Sequence, residues 1–229
     1  MADRCCDLWQ SEDSGLWELP DRRHYTISKI GCWVALDRAY RLNRSGALVS
    51  PHPLRWAGER DAIKAWVYRH CWSTDKNSLT FYAGSEDLDA ATLLAGRTGF
   101  DRGEALAATV TAIQRELRRG PAVWRYTGMR DEEGAFIACS FWLVSALVAL
   151  GRCREAHELM EGAVAMANDV GLLSEEFDAD SGALLGNFPQ GLSHLALINA
   201  ATDYRKATGR PPQGPPAGDP RQDGPWRGT

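Results

Sequence analysis

Apolar residues recur along this chain at intervals of three and four, the spacing that places them on one face of an α-helix. Almost no segment alternates with the period of two that is typical of a half-buried β-strand. The apolar stripes run through Ile30, Trp33, Leu36 and Tyr40, through Trp56, Ile63 and Val67, through Leu106, Val110, Ile113 and Leu117, and through Leu159, Ala163, Met166 and Val170. The pattern predicts an all-α protein.

Shorter or weaker patterns predict further helices near residues 2–9, 87–97 and 190–206, which brings the expected total to about eight. The acidic residues at 86 and 87 suit the positive end of a helix dipole, and they favour a helix start there. In the last helix, Leu192, Leu195 and Ile198 are expected to point inward. We therefore expect a helical domain over residues 1–208.

From Gly209 onward the sequence is dominated by proline, glycine and polar residues. Such a segment cannot bury enough apolar surface to offset the entropy lost on ordering. The composition predicts a disordered Pro/Gly-rich tail over residues 209–229.

Residues 134–151 carry no charged side chain. The apolar part of this segment is shorter than the roughly 20 residues that a bilayer requires. It also contains Cys139, Ser140 and Ser145. The sequence favours a helix that is buried on all sides within the protein over a membrane span.

The 229 residues are enough for one domain with a sizeable core, and 44% hydrophobic with 24% charged residues is ordinary for a globular protein. A net charge of -4 does not favour nucleic acid or an anionic membrane as a partner, and it suits a neutral substrate. The six cysteines form no Cys-x-x-Cys pair or Cys/His metal spacing. No phosphate loop or dinucleotide fingerprint occurs. We expect a reduced, cytoplasmic protein without a metal or cofactor.

Two loops carry more aromatic and charged residues than plain connectors do, at residues 10–23 and 125–133. Glu18 lies in the first of these loops, at the end of Gly-Leu-Trp-Glu. Glu175 lies in another unusual loop further along the chain, in Leu-Leu-Ser-Glu-Glu-Phe. Two carboxyl groups facing each other are the minimum for cleaving a glycosidic bond, since one protonates the leaving oxygen and the other activates water or attacks the sugar.

Read in order, these loops and their flanking helices resemble glycoside hydrolase family 15, the glucoamylases and their bacterial trehalase-like relatives. The resemblance covers most of residues 3–205. The matching blocks are residues 15–18, 23–29, 32–39, 88–91, 124–126, 132–136, 139–142, 172–177, 185–190 and 193–194.

The resemblance implies an (α/α)6 barrel that hydrolyses terminal α-glucosidic bonds with inversion. By position, Glu18 resembles the family's general acid and Glu175 its general base. Arg125 resembles the arginine that binds sugar hydroxyls, and Trp17 the aromatic wall beside the acid. An inverting pair needs carboxyl groups roughly 6.5–9.5 Å apart, and the acid needs an apolar or anionic environment that keeps it protonated.

Several of these residues also have a plainer interpretation. Glu176 is the alternative to its neighbour as the base. Arg125 either contacts the ligand or pairs with Asp131 or Glu132. Glu133 either faces the cleft as a substrate-binding residue or is an acidic first-turn residue of a helix that starts at the following glycine.

His24 and Lys29 either line the cleft and bind substrate or satisfy carbonyls at a helix end. His194 is expected to pack in the barrel or to bond to the backbone. Asn187 and Gln190 either bond to sugar hydroxyls or stabilise a tight loop.

The chain also departs from the family, whose members carry an N-terminal β-rich domain and further barrel helices. An incomplete barrel of about eight helices exposes apolar surface, which favours association. Three hypotheses remain open: an impaired hydrolase fragment, an enzyme completed by a second polypeptide or by self-association, and a non-catalytic helical binding or scaffold protein. The resemblance implies a carbohydrate substrate, either an α-glucan oligosaccharide or trehalose. Residues 23–26 and 186–190 favour the trehalase-like branch.

Overall fold

The computed structural model describes residues 1–209, and these form eight α-helices joined by long loops. The all-α class and the expected number of helices are confirmed for this part of the chain. The predicted tail, apart from Gly209, lies outside the described residues. The helices are α1 (Ala2–Leu8), α2 (Thr26–Arg44), α3 (Pro53–His70), α4 (Leu94–Thr98), α5 (Glu104–Glu116), α6 (Ile137–Ala149), α7 (Cys153–Val164) and α8 (Gly191–Thr208).

Short β-strands, each of two residues, lie between the helices. They are β1 (Trp72–Ser73), β2 (Ser78–Leu79), β3 (Arg118–Arg119), β4 (Ala122–Val123), β5 (Ala135–Phe136), β6 (Glu176–Phe177) and β7 (Leu184–Leu185). β1 pairs with β2, and β3 with β4, while β5, β6 and β7 form one antiparallel sheet. Two residues are too few to show alternation, so periodicity does not predict these strands.

Helix α6 forms the centre of the core, because its residues 137–148 are all buried. It packs against α7, α8 and α4. A helix covered on every side needs apolar residues on every side, which explains its uncharged sequence. The buried-helix prediction is confirmed, and no helix within residues 1–209 is long and apolar enough to cross a membrane.

The predicted inward face of α8 is wrong. Leu192, Leu195 and Ile198 are 42%, 58% and 58% exposed. The residues that α8 buries are smaller, namely Ser193, Ala196 and Ala200. Small side chains allow close approach to the large residues of α6, so the apolar stripe of α8 is left facing outward.

Two predicted helix starts are also wrong. No helix has begun at Asp87, whose carbonyl accepts a hydrogen bond from the Phe81 amide at 2.7 Å. Helical structure begins with a 3₁₀ turn at Ala90–Leu93, capped by the Asp89 side chain. Likewise α6 begins at Ile137, after β5, so Glu133 is not in its first turn.

The fourth stripe ends earlier than expected because α7 stops at Val164, and Val170 is 70% exposed.

Candidate active site

Glu18 lies in the loop between α1 and α2, and hydrogen bonds within the loop define its shape. The backbones of Asp13 and Arg23 pair through two hydrogen bonds of 3.0 Å, which close the loop. Inside it, the Leu19 amide donates to the Ser14 carbonyl at 2.8 Å. Glu18 itself has a φ of 52°, a left-handed conformation that is costly for a residue with a side chain. Glu18 is exposed to solvent.

Trp17, the residue before Glu18, is the aromatic anchor of this loop. Its ring lies 5.4 Å from the ring of Phe136 and 5.9 Å from that of Trp142, measured between centroids. The indole N–H donates a hydrogen bond of 3.1 Å to Oδ1 of Asp89. The loop therefore attaches to the N-terminal end of α6 and to the 3₁₀ turn through one side chain.

Arg125 stands over the Trp17 ring, with its Cζ 5.3 Å from the ring centroid. Its Nε donates to Oε1 of Glu133 at 2.6 Å, and its Nη2 donates to the other carboxylate oxygen. Burial acts to lower the pKa of Arg125, but the paired Glu133 outweighs it and the pKa is raised. Arg125 does form an ion pair, but the predicted partners, Asp131 and Glu132, are wrong, because the pair is with Glu133.

Glu175 is held between α6 and the loop that follows β7. Its carbonyl accepts a hydrogen bond from the Ile137 amide at 3.0 Å, and its amide donates to the Asn187 carbonyl at 2.9 Å. Its side-chain Oε2 accepts from the backbone and side-chain nitrogens of Asn187, at 3.0 and 2.8 Å. These hydrogen bonds orient the Glu175 carboxylate.

Glu176, the alternative base, lies in β6 opposite Phe136. Its Oε2 accepts a hydrogen bond from the Gly134 amide at 3.3 Å. Burial and the nearby Glu133 carboxylate raise the pKa of Glu176, while Arg125 acts in the opposite direction. Glu176 therefore shares one charge cluster with the Arg125–Glu133 pair.

His24 and Lys29 belong to a different group of contacts. The Lys29 ammonium is buried and donates to the carbonyls of Trp9 and Ser11, at 2.7 and 2.6 Å, which lie just beyond the end of α1. Burial lowers the pKa of Lys29. The His24 ring lies 5.3 Å from that of Trp66, and its Nδ1 is buried without a partner among residues 1–209. Lys29 thus satisfies helix-end carbonyls, as one of its two interpretations expected.

The residues around Glu175 have mainly structural contacts. His194 Nδ1 lies 2.8 Å from the Gln190 carbonyl, and its Nε2 accepts from the Leu173 amide at 3.3 Å. The Gln190 side chain caps α8 by accepting from the Leu192 amide. The backbone roles expected for His194 and Gln190 are confirmed, whereas Asn187 bonds to Glu175.

Asp89 is the site residue that sequence reasoning missed. It is fully buried and accepts a hydrogen bond from Trp17. Asp89 lies in the matching block 88–91, but the resemblance gave that block no role in the site. Within the described residues, no group of three or more His, Cys, Asp and Glu side chains could hold a metal ion.

Comparison with known proteins matches residues 2–202 to the family model of glycosyl hydrolases family 15. The chain is 41% identical over 209 residues to a trehalase of Mycolicibacterium smegmatis, and 36% identical over 207 residues to a trehalase of Thermoplasma volcanium. Each match covers 87% of this chain, but only 31% and 33% of the relatives. The chain therefore spans about a third of the length of these relatives.

Two solved structures share the fold. A wild-type glycosidase superposes with a TM-score of 0.77 at 18% identity, covering 88% of this chain and 57% of that one. A family 15 glucoamylase from Hypocrea jecorina gives 0.70 at 11% identity, covering 90% of this chain and 46% of the other. The described helices thus form part of the family's (α/α)6 barrel. The chain belongs to glycosyl hydrolases family 15.

Proposed function

We propose that this chain supplies both catalytic carboxyl groups of an inverting α-glucosidase. Glu18 gives a proton to the bridging oxygen of a terminal α-glucosidic bond, and Glu175 takes a proton from the attacking water. The water attacks the anomeric carbon from the face opposite the leaving group, so that the configuration inverts as the old bond breaks. Arg125 and Glu133 bind sugar hydroxyls, and Trp17 forms the apolar wall beside the acid.

The contact between Trp17 and Phe136 carries this proposal. Trp17 adjoins Glu18, and its ring lies 5.4 Å from that of Phe136. Phe136 pairs in the sheet with Glu176, the neighbour of Glu175. Loops that are distant in sequence thereby meet beside the proposed acid and base, and the Arg125–Glu133 pair lies against the same indole.

The hydrogen bonds around Glu175 suit the proposed division of roles. A general base must be oriented toward the attacking water, and the two Asn187 donors hold the Glu175 carboxylate in place. Glu18 is exposed to solvent, which leaves room for a sugar beside its side chain.

Trehalose is the substrate that we propose first, because the relatives at 41% and 36% identity are trehalases. α-Glucan oligosaccharides are the second choice, since a glucoamylase shares the fold. Both present a terminal α-glucosyl unit to the same pair of carboxyl groups.

Hydrolysis of trehalose and of maltose by the purified chain tests the proposal, with the glucose anomers followed by NMR. Inversion gives β-glucose from the attacked residue of either sugar. From trehalose, the leaving residue is released at the same time as an equal amount of α-glucose. Glu18→Gln and Glu175→Gln should each lower the rate at least about a hundredfold. Glu12→Gln, which changes an exposed carboxyl group in the same loop, is the matched control and should leave the rate unchanged.

Glu176→Gln separates the two candidate bases. If Glu175 is the base, Glu176→Gln retains more activity than Glu175→Gln. Full activity in both Glu18→Gln and Glu175→Gln would overturn the mechanism.

We also propose that further polypeptide covers the outward stripe of α8 in the active protein. The chain spans only about a third of the matched relatives, and Leu195 and Ile198 are each 58% exposed. A polypeptide corresponding to the part of the trehalase relatives that this chain does not match should bind this chain and raise its activity. Leu195→Glu combined with Ile198→Glu should weaken that binding without affecting the carboxyl groups.

A self-associating chain would instead form oligomers without the added polypeptide, and the same double substitution should dissociate them. The non-catalytic alternative predicts a different result: trehalose or glucose binds, measured by calorimetry, but no glucose is released with the partner present.

A further inference from the structure

Asp89 is a fully buried carboxyl group that the proposed mechanism does not use. Its Oδ1 accepts two hydrogen bonds, from the Ala91 amide at 2.8 Å and from the Trp17 indole at 3.1 Å. Its Oδ2 is buried and has no hydrogen-bond partner in the part of the chain that the structure describes. An unsatisfied buried oxygen is costly, and a residue that carries one calls for an explanation.

The same residue lies where two elements of the proposed site meet. The Asp89 side chain reaches Trp17, which is 72 residues away in sequence and precedes Glu18. The neighbouring Ala90 amide donates to the carbonyl of Arg125 at 2.8 Å. Asp89 therefore connects the loop of the proposed acid to the segment that carries the sugar-binding arginine.

The acid's loop needs an anchor outside itself. Glu18 is left-handed, with a φ of 52°, and its own amide makes only a long hydrogen bond of 3.4 Å to the Gly15 carbonyl. The flanking Leu16 is 47% exposed and gives little packing. Trp17 is the residue of this stretch that packs on the core, so its orientation determines where Glu18 lies.

We propose that Asp89 is a positioning residue for Glu18: its carboxyl group holds the Trp17 indole, and the indole holds the backbone of the acid in its left-handed conformation. The contact between Asp89 and the loop of Glu18 is structural, while its importance for catalysis rests on the proposed function. NMR tests the structural contact, and kinetics tests its importance for catalysis.

The groups around Asp89 support a hydrogen bond between its carboxyl group and the Trp17 indole. Burial raises the pKa of Asp89 to about 7, while the Ala91 and Trp17 donors and the charge of Arg125 act to lower it. Burial is the main cause of the raised pKa of the Cys139 thiol in α6 and of the raised pKa of the Tyr126 hydroxyl. The negative charge of Asp89 also acts to raise the pKa of both groups. Within the described residues, Arg125 is the cation that acts to lower the pKa of Asp89, and its guanidinium is paired with Glu133.

The test is proton–nitrogen NMR of the full chain, with the Trp17 indole signal assigned by Trp17→Phe. Asp89→Ala removes the acceptor and should speed hydrogen exchange of that indole by at least about tenfold, and should shift the Glu18 amide signal. Asp89→Asn keeps an oxygen acceptor and should leave both close to the wild-type values. The control is Glu59→Ala, which removes the acceptor of the Trp9 indole, 2.7 Å away, and should affect that signal alone.

Unchanged indole exchange and an unmoved Glu18 amide in Asp89→Ala would overturn the proposal. If that variant does not fold, Trp17→Phe decides, because it keeps an aromatic ring but has no N–H. It should move the Glu18 amide signal, and an unmoved signal there also counts against the coupling.

Kinetics then addresses catalysis. Asp89→Ala should lower kcat by about tenfold or more with KM within about twofold, whereas Asp89→Asn retains most activity. Absence of hydrolysis by the wild-type chain, with its partner polypeptide present, counts against the proposed function alone, since the NMR result has already decided the coupling.

Discussion

The Glu175 carboxylate accepts two hydrogen bonds from a single residue, Asn187, through its backbone N–H at 3.0 Å and its side-chain Nδ2 at 2.8 Å. The backbones of the two residues are also paired, because the Glu175 amide donates to the Asn187 carbonyl. The proposed base is therefore oriented by the loop that follows β7, and the rest of that loop becomes relevant to catalysis.

Asn187→Ala removes one of the two donors to the carboxylate and leaves the backbone N–H in place. A hydrogen bond to a charged group contributes about 1.5–3 kcal/mol, so we expect kcat to fall by roughly ten- to a hundredfold. The measurement is trehalose hydrolysis under the conditions used for the carboxyl variants. Asn187→Asp serves as the comparison: it replaces the donor with a negative charge and should be worse than alanine. Equal rates for wild type and Asn187→Ala would show that the bond does not orient the base.

Gly186→Ala should displace Glu175 by direct contact. Gly186 has a φ of 70°, and a Cβ added there would lie 2.9 Å from both the Cβ and Oε2 of Glu175. Gly182 provides a matched control, because its φ is 76° and a Cβ there meets nothing within 4 Å. Each alanine costs about 1 kcal/mol of stability through its left-handed backbone. Only Gly186→Ala should also lower kcat, and equal activity in the two variants would contradict this.

The Arg125–Glu133 pair should contribute to folding as well as to sugar binding. The two side chains are 22% and 17% exposed, so loss of either one leaves a charge in a poorly solvated place. We expect Arg125→Met or Glu133→Gln alone to reduce the free energy of unfolding by roughly 2–4 kcal/mol. The double variant should lose less than the sum of the two.

Denaturant unfolding of the four proteins in this cycle provides the measurement. Asp180→Asn is the control, because it breaks an ion pair with Arg119 in which the side chains are 52% and 73% exposed. Because solvent screens this exposed ion pair, Asp180→Asn should leave the free energy of unfolding almost unchanged. Strict additivity in the Arg125–Glu133 cycle would mean that the pair does not act as a unit.

Asp89 should make stability depend on pH. Its pKa of about 7 in the folded protein lies above the ordinary 3.8, so the folded state keeps a proton that the unfolded chain releases. Proton binding by Asp89 makes its full contribution to the free energy of unfolding below a pH of about 4, and this contribution is lost as the pH rises through about 7. The loss is at most roughly 4 kcal/mol, from about three pKa units at 1.36 kcal/mol each.

Urea unfolding between pH 4 and pH 8 checks this, with the difference between wild type and Asp89→Asn removing the contribution of all other groups. Asp89→Asn should flatten the decline, and Asp75→Asn, at an exposed site, should not. A pH dependence that is unchanged in Asp89→Asn would show that the buried carboxyl group does not titrate in this range.

The sequence alone determined the helical class, the approximate number of helices, the central buried helix and the residues that stand out chemically. Helix periodicity is a local property, because it depends only on the spacing of apolar residues within a few turns. It can therefore be recognised in the sequence without the fold. Likewise, the absence of charged residues from α6 indicates that the helix is buried on all sides. Family resemblance added roles for Glu18 and Glu175, which stay predictions until they are tested by substitution.

Only the tertiary structure decided which surfaces and charges meet. It turned Leu195 and Ile198 of α8 outward, because small residues allow the helix to approach α6. It paired Arg125 with Glu133 and placed Asp89 against an indole 72 residues away in sequence. Such contacts depend on how whole helices pack and how loops return to the core, and no local pattern of residues encodes the distance between two segments.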